Sequence, residues 1–247
     1  MRVVKLTLAY DGTGFVGWQR QAGGASIQAL VERAIEPFAS RDGLALAGAG
    51  RTDAGVHAIG QVVSARVDDR MSPADLQRAL NARLPPAIRV TGAEEASATF
   101  HARYAASAKT YAYHIVQGPF VMPFEVRYAW HVPRALDLAP MREACAALAG
   151  THDFAAFRAA GSRVRDTRRT IFEARLDVDR DGTHVTFTCR GDGFLRHMVR
   201  SLVGTLVDVG HGRFPAGHLA ALLAAPDRGA VGATAPPHGL FLVSVDY

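Results

Sequence analysis

The sequence predicts an α+β fold in two similar halves, each an antiparallel sheet with helices packed on it. Three observations carry this expectation. Short runs of period-2 hydrophobic alternation are interleaved with stripes of helical period. In the first half these runs follow the order β-α-β-β-α-β, and the second half repeats the theme less cleanly. With 247 residues, 49% of them hydrophobic, the chain has enough apolar material for one large or two small domains.

Val4, Leu6, Leu8 and Tyr10 alternate with Lys5 and Thr7 as the first strand. Ile27, Leu30, Val31, Ala34, Ile35 and Phe38 then share a helical face behind the N-cap candidate Ser26. Residues 44–47 and 61–67 read as strands on either side of a glycine-rich turn. Ser72-Pro73 starts a second helix, with Leu76, Ala79, Leu80 and Leu84 inward and Pro85-Pro86 as its stop. Residues 88–94 form the fourth strand. This is the ferredoxin-like, or RRM-like, order.

In the second half, residues 109–117 alternate as a strand, and Gly118-Pro119 opens a turn that runs through Pro123. Residues 127–132 read as a further strand. Met141, Ala144, Cys145 and Leu148 stripe a helix ended by Gly150. Residues 170–178 and 183–190 make a hairpin about Asp181-Gly182. Leu195, Val199, Leu202, Val203 and Leu206 stripe a long helix on which Arg196, His197 and Arg200 share the opposite edge. A shorter helix runs through Leu219, Leu222 and Leu223 to Pro226, and residues 240–245 close as a strand. The halves are placed at 1–104 and 105–247.

The formal net charge is +5, and of 28 basic residues only Lys5 and Lys109 are lysine, leaving 26 arginines. Arginine offers a planar fork for phosphates and a face that stacks on bases, so nucleic acid is the leading partner class. Between residues 151 and 175 Arg158, Arg163, Arg165, Arg168, Arg169 and Arg175 stand against Asp153, Asp166 and Glu173. That run reads either as a solvated charged face or as a phosphate-binding loop. The apolar stretches are short and interrupted, so no membrane span is expected, and the start of the chain runs into a strand without a signal-like segment. A cytoplasmic location follows as the expectation. Cys145 and Cys189 alternate with apolar neighbours and read as buried free thiols.

The chemistry concentrates in residues 48–58, where three glycines, Arg51, Asp53 and His57 crowd one turn. Gly50 and Gly55 flank Asp53 and let backbone and ligand approach closely. A carboxylate beside a guanidinium suits nucleophilic attack or electrostatic stabilisation, although Asp53 could equally serve an Asx-turn. Asp53 stands where a dinucleotide fingerprint needs its third glycine, and no phosphate-loop pattern follows, so a nucleotide cofactor is not expected. The ten histidines show no H-x-x-x-H or H-E-x-x-H spacing, so no metal is expected, and no G-x-S-x-G elbow marks a serine nucleophile. The basic edge 196–200 calls for something anionic near a helix N-terminus, such as a substrate phosphate or Asp53, unless it is simply solvated.

Gly50-Arg51-Thr52-Asp53-Ala54-Gly55-Val56-His57-Ala58 resembles the catalytic signature of the tRNA pseudouridine synthase A family. Further matches follow in family order: Asp11-Gly12 with 17–21, 100–103, 109–113, 150–154 with Phe157-Arg158, 194–200, and 239–242. The resemblance spans essentially the whole chain. It implies two ferredoxin-like halves sharing a continuous, mostly antiparallel sheet, with the active-site cleft between them. It implies conversion of uridine to pseudouridine at positions 38, 39 and 40 of the tRNA anticodon stem-loop by a cytoplasmic homodimer without cofactor. Asp53 matches the family nucleophile, attacking ribose C1′ or uracil C6 or assisting glycal formation. Tyr111 matches the active-site tyrosine, and Arg200 the arginine that pairs with the catalytic carboxylate. Arg51 is expected to hold the RNA backbone or flip with the base. Arg158, Arg163, Arg165, Arg168 and Arg169 are candidate phosphate contacts, and Leu240 and Leu242 resemble the pocket wall. The loop 161–170 departs from the family pattern in carrying more charge and no proline.

Two other classes compete. A non-catalytic RNA-binding protein on an RRM-like sheet would need no Asp53, and the chain lacks a clear RNP1 run. A retaining glycosidase would need a second carboxylate about 5 Å from Asp53; Asp11, Asp192 and Glu125 are the candidates, and none shares a motif with it.

Overall fold

Two stretches build separate units in the computed structural model: Met1–Ser107 with Phe241–Tyr247, and Ala108–Leu240. Residues 1–39, 46–68, 70–162 and 164–247 are described. Leu44 and Ala45 of the expected second strand, and Arg163, lie outside them.

The first unit follows the order read from the sequence: β1 (Arg2–Tyr10), α1 (Ile27–Ile35), β2 (Leu46–Gly48), β3 (His57–Val67), α2 (Pro73–Arg83) and β4 (Ile88–Ala96). Val4, Leu6 and Leu8 of β1 are fully buried, as their alternation requires. The Ala29 N–H donates to Ser26 Oγ at the start of α1, and the Asp75 N–H to Ser72 Oγ at the start of α2. Ile27, Val31, Ala34 and Ile35 bury one face of α1, and Leu76 and Leu80 that of α2. The antiparallel sheet runs β4-β1-β3-β2.

β3 starts four residues before the expected strand, because Gly60 interrupts the apolar pattern there. Leu8 pairs with Gln61 but Tyr10 with Ala58, so one extra β3 residue bulges beside the glycine-rich turn. The strand β10 (Leu240–Asp246) explains the glycine: Phe241 and Leu242 pair in parallel with His57 and Ala58, and a Cβ on Gly60 would lie 2.3 Å from the Val243 carbonyl oxygen. β3 is buried on both faces. Ala49 and Ala102 form a buried cluster with Val62 of β3, with Phe100 and Val245 packed against it, so the 100–103 motif helps to cover the strand.

The second unit contains β5 (Ala108–Gln117), β6 (Trp130–Val132), α3 (Leu138–Ala146), β7 (Gly150–Asp153), β8 (Arg168–Val178), β9 (His184–Gly191), α4 (Met198–Gly210) and α5 (His218–Ala224). Its sheet order is β5-β9-β8-β7, antiparallel throughout, with the short β6 parallel to β5.

Three expectations need correction here. The strand expected over 127–132 shrinks to β6, because the Tyr128 and Ala129 N–H groups donate to the Glu125 carbonyl and curl the preceding chain into turns. Gly150 does not end a helix: α3 stops at Ala146, and Gly150 opens β7 with φ at 108°. The basic edge of α4 also dissolves. His197 adopts a left-handed conformation (φ 66°, ψ −5°) and caps the helix, so Leu195, Arg196 and His197 precede it and only Arg200 stands in its first turn. Arg200 apart, α4 is buried on all sides.

Among the described residues no helix is long and apolar enough to cross a membrane. Cys145 and Cys189 are free and buried, and burial pushes both thiols up, Cys145 to about 12.

Candidate active site

Asp53 sits half-buried in the turn between β2 and β3, with Arg51 exposed beside it. The Val56 N–H donates to the Asp53 carbonyl at 3.1 Å, and Gly55 takes a φ of 76° to close the turn. On one side the turn is welded to the loop after β1. The Trp18 N–H donates to the Thr52 carbonyl at 3.0 Å, and the Gly12 N–H donates to His57 Nδ1 at 2.9 Å.

Both contacts demand glycine opposite the turn. A Cβ on Gly12 would lie 2.1 Å from the Val56 carbonyl oxygen, and one on Gly17 would lie 2.7 Å from that of Thr52 and 3.0 Å from the Asp53 carbonyl carbon. Gly48 likewise lies against the Trp18 indole, where a Cβ would come within 2.7 Å of Cζ2. The 11–21 and 48–58 motifs are therefore one structure. The carbonyls of Gly17 and Trp18 in turn accept from the Ile27 and Gln28 N–H groups and tie the loop to the start of α1.

Beneath the turn lies a buried polar network. Tyr10 Oη and Thr52 Oγ1 are 2.9 Å apart, and Gln61 Nε2 donates to the Gly50 carbonyl at 3.0 Å and to Tyr10 Oη at 3.4 Å. Burial pushes the Tyr10 phenol up to about 12, against the pull of its hydrogen bonds to Thr52 and Gln61. These residues were missed in the sequence because a polar residue in a strand ordinarily faces water, and only the density of polar residues around 50–61 hints otherwise. His57 is buried and stacks on Phe241 with centroids 4.6 Å apart.

Tyr111 and Arg200 belong to the second unit. Tyr111 is buried on β5 opposite Cys189, with Phe194 edge-on at 5.0 Å. Arg200 is clasped to one residue twice: its Nε donates to the Ala235 carbonyl at 2.8 Å, and its own carbonyl accepts from the Ala235 N–H at 3.1 Å. The segment around Ala235 is strapped to α4 and to β5 at further points. The Gly232 N–H donates to Thr205 Oγ1, Tyr113 Oη donates to the Pro236 carbonyl at 2.8 Å, and a Cβ on Gly204 would fall 1.7 Å from the Ala233 carbonyl oxygen. Burial raises the Tyr113 phenol, and the Arg200 cation opposes that shift.

The described arginines of the loop differ in their contacts. Arg158 Nη1 donates to the Val164 carbonyl at 2.6 Å, and Arg169 Nη1 to that of Asp166 at 3.1 Å, so both brace the loop itself. Arg165 and Arg168 are exposed. The candidate second carboxylates all have structural work. Asp11 accepts from the Thr13 N–H, Asp192 from the Thr170 N–H, and Glu125 pairs with His184. Among the described residues no group of three His, Cys, Asp or Glu side chains could hold a metal ion.

Comparison with known proteins bears on the whole chain. Among solved structures, a Cbf5-Nop10-Gar1 complex aligns over 83% of this chain and 45% of that chain, at 12% identity and a TM-score of 0.35. The sequence is 44% identical to a tRNA pseudouridine synthase A of Solibacter usitatus over 250 residues, covering all of both chains. It is also 44% identical to the protein of that name from Geobacter sulfurreducens, again covering both chains fully. With one from Streptococcus pneumoniae (strain P1031) it shares 40% identity over 98% of each chain. The family model described as tRNA pseudouridine synthase matches residues 7–105 and 144–247, which include Asp53 and Arg200. The chain belongs to the tRNA pseudouridine synthase family.

Proposed function

We propose that the protein isomerises uridine to pseudouridine at positions 38, 39 and 40 of the tRNA anticodon stem-loop, with Asp53 as the nucleophile. The bond from N1 to ribose C1′ breaks, the uracil turns within the site, and C5 bonds to C1′. C5 gives up its proton and N1 takes one, so atoms and electrons balance within the nucleoside and no cofactor is required. The observation that carries this reading is the clamped turn: Gly17 and Trp18 hold the Thr52 carbonyl and the peptide that carries Asp53. A carboxylate whose backbone is pre-set is what attack on a flipped-out nucleotide needs.

Tyr111 supplies an aromatic face for the flipped uracil, Arg200 supplies a cation for the reaction, and Arg51 contacts the RNA backbone. Several neighbouring target positions imply recognition by shape and phosphate more than by base identity, in keeping with the net charge of +5. The protein acts as a cytoplasmic homodimer. Release of tritium from tRNA carrying [5-³H]uridine tests the reading. The unaltered protein should release it without added metal or nucleotide, and Asp53→Asn should not. No release from either, with tRNA binding intact, would favour a non-catalytic RNA-binding protein.

A further inference from the structure

We infer that Tyr10, Thr52 and Gln61 are positioning residues for the isomerisation, their buried hydrogen-bond network fixing the backbone from Gly50 to Asp53 and hence the aim of the carboxylate. The inference rests on Asp53 being the nucleophile. Each group holds a different point of the same short segment. Gln61 on β3 takes the Gly50 carbonyl at 3.0 Å, and Tyr10 at the end of β1 takes the Thr52 hydroxyl at 2.9 Å. The Thr52 carbonyl is already held from the opposite side by the Trp18 N–H, and the Asp53 carbonyl by the Val56 N–H. The segment just before the carboxylate is therefore fixed at its peptides and at the side chain next in sequence.

Two features mark the network as more than filling. Tyr10, Thr52 and Gln61 are all buried, at 4%, 7% and 0% exposure, where apolar side chains would pack without any need for partners. Gln61 also bridges the segment to Tyr10, its Nε2 donating both to the Gly50 carbonyl at 3.0 Å and to Tyr10 Oη at 3.4 Å. A fully buried amide that ties two partners together points to a geometric duty. The β3 bulge between the turn and Gln61 sets the register in which Tyr10 and Gln61 meet.

The test measures kcat and KM for [5-³H]uridine tRNA, with thermal midpoints, in Tyr10→Phe, Thr52→Val, Thr52→Ser and the Tyr10→Phe/Thr52→Val double variant. Misaiming a nucleophile should lower kcat about tenfold in Tyr10→Phe and in Thr52→Val while KM stays within about twofold. The double variant should be no slower than Tyr10→Phe, since the Tyr10–Thr52 hydrogen bond is lost in either single variant and Tyr10→Phe alone also removes the acceptor of Gln61 Nε2. Thr52→Ser, which keeps the hydroxyl, should restore kcat. If Tyr10→Phe does not fold, the Thr52→Val and Thr52→Ser pair decides the matter alone. Unchanged kcat in both hydroxyl-lacking variants, or losses that multiply in the double variant, would overturn the inference while leaving Asp53 in place. Undiminished release from Asp53→Asn, run alongside, would instead overturn the nucleophile and the inference with it.

Discussion

Gly17 and Thr52 approach so closely that a single added methyl would stand 2.7 Å from the Thr52 carbonyl oxygen. That oxygen also accepts the Trp18 N–H, so the contact cannot open without breaking the bond that seats the Asp53 turn. Gly17→Ala should therefore destabilise the protein by about 2–4 kcal/mol, combining a φ of 103° with a backbone collision. Gly23→Ala is the matched comparison. Gly23 has a similar φ of 94° but no atom within 4 Å of the added carbon, and should cost only about 1–2 kcal/mol. Urea unfolding of the two variants separates the terms. Equal losses would show that the Gly17 contact yields freely. At a temperature where both variants are folded, only Gly17→Ala should slow tritium release.

Gly204 raises the same question inside a helix, where two effects of opposite sign compete. Alanine is favoured over glycine in a helix interior by about 1 kcal/mol. Here, however, its Cβ would fall 1.7 Å from the Ala233 carbonyl oxygen, and overpacking of this kind costs about 1–3 kcal/mol. The strap cannot retreat cheaply, because Ala235 is bonded twice to Arg200 and Gly232 once to Thr205. The collision should win. Gly204→Ala should lower the thermal midpoint, and by loosening the hold on Arg200 it should also lower kcat. A raised midpoint would mean that helix propensity prevails.

How much of this was legible depends on whether the determinant is local. Ser26 and Ser72 announced their helices, and Val4, Leu6 and Leu8 their strand, because caps and alternation lie within a few residues of what they specify. The Asp53 turn was equally plain, since glycines, cation and carboxylate are contiguous. What could not be read depends on partners far along the chain. The parallel pairing of Phe241 and Leu242 with His57 and Ala58 is such a case, as is the need for Gly60 opposite Val243. The strap on Arg200 is another. The start of α4 was misplaced for a different reason: the apolar period runs unbroken through Leu195, and only the left-handed backbone at His197 stops the helix there. Tyr10 and Gln61 were passed over because a strand pattern does not reveal which polar residues are buried.

His184 should make part of the second unit sensitive to pH. Its Nε2 lies 2.7 Å from Glu125 Oε1 and its Nδ1 2.7 Å from Asp179 Oδ2, tying the turn at Glu125 to the β8–β9 hairpin. The hydrogen bonds to Glu125 and then Asp179 raise the His184 pKa above its ordinary value of 6.5, while burial, and after it the His184 charge, lowers that of nearby His114. A raised histidine contributes stability that is complete below 6.5 and is lost as the pH climbs through the folded-state value. Asp179 is held below its ordinary 3.8, chiefly by the backbone N–H of His184, so its contribution is present above 3.8 and fades as the pH falls further. The tie is thus fullest between these two values. An NMR titration of the His184 ring should show an apparent pKa above 6.5 that drops in Glu125→Gln. No change in that variant would remove Glu125 as the main cause.

The exposed arginines of the 161–170 loop should register in the salt dependence of tRNA binding. A cation that meets a phosphate releases counterions, so removing one reduces the slope of log K against log salt by about 0.7–0.9. Arg165 and Arg168 are exposed, whereas Arg158 and Arg169 spend donors on carbonyls of their own loop. Arg165→Ala and Arg168→Ala should each flatten the slope and weaken binding at low salt, with the thermal midpoint unchanged. Arg158→Ala should instead lower the midpoint, because the Val164 carbonyl loses its partner. Filter binding across a salt series decides between these roles. An unaltered slope in both exposed-arginine variants would mean that this loop does not touch the RNA backbone, and that its charge is a solvated face.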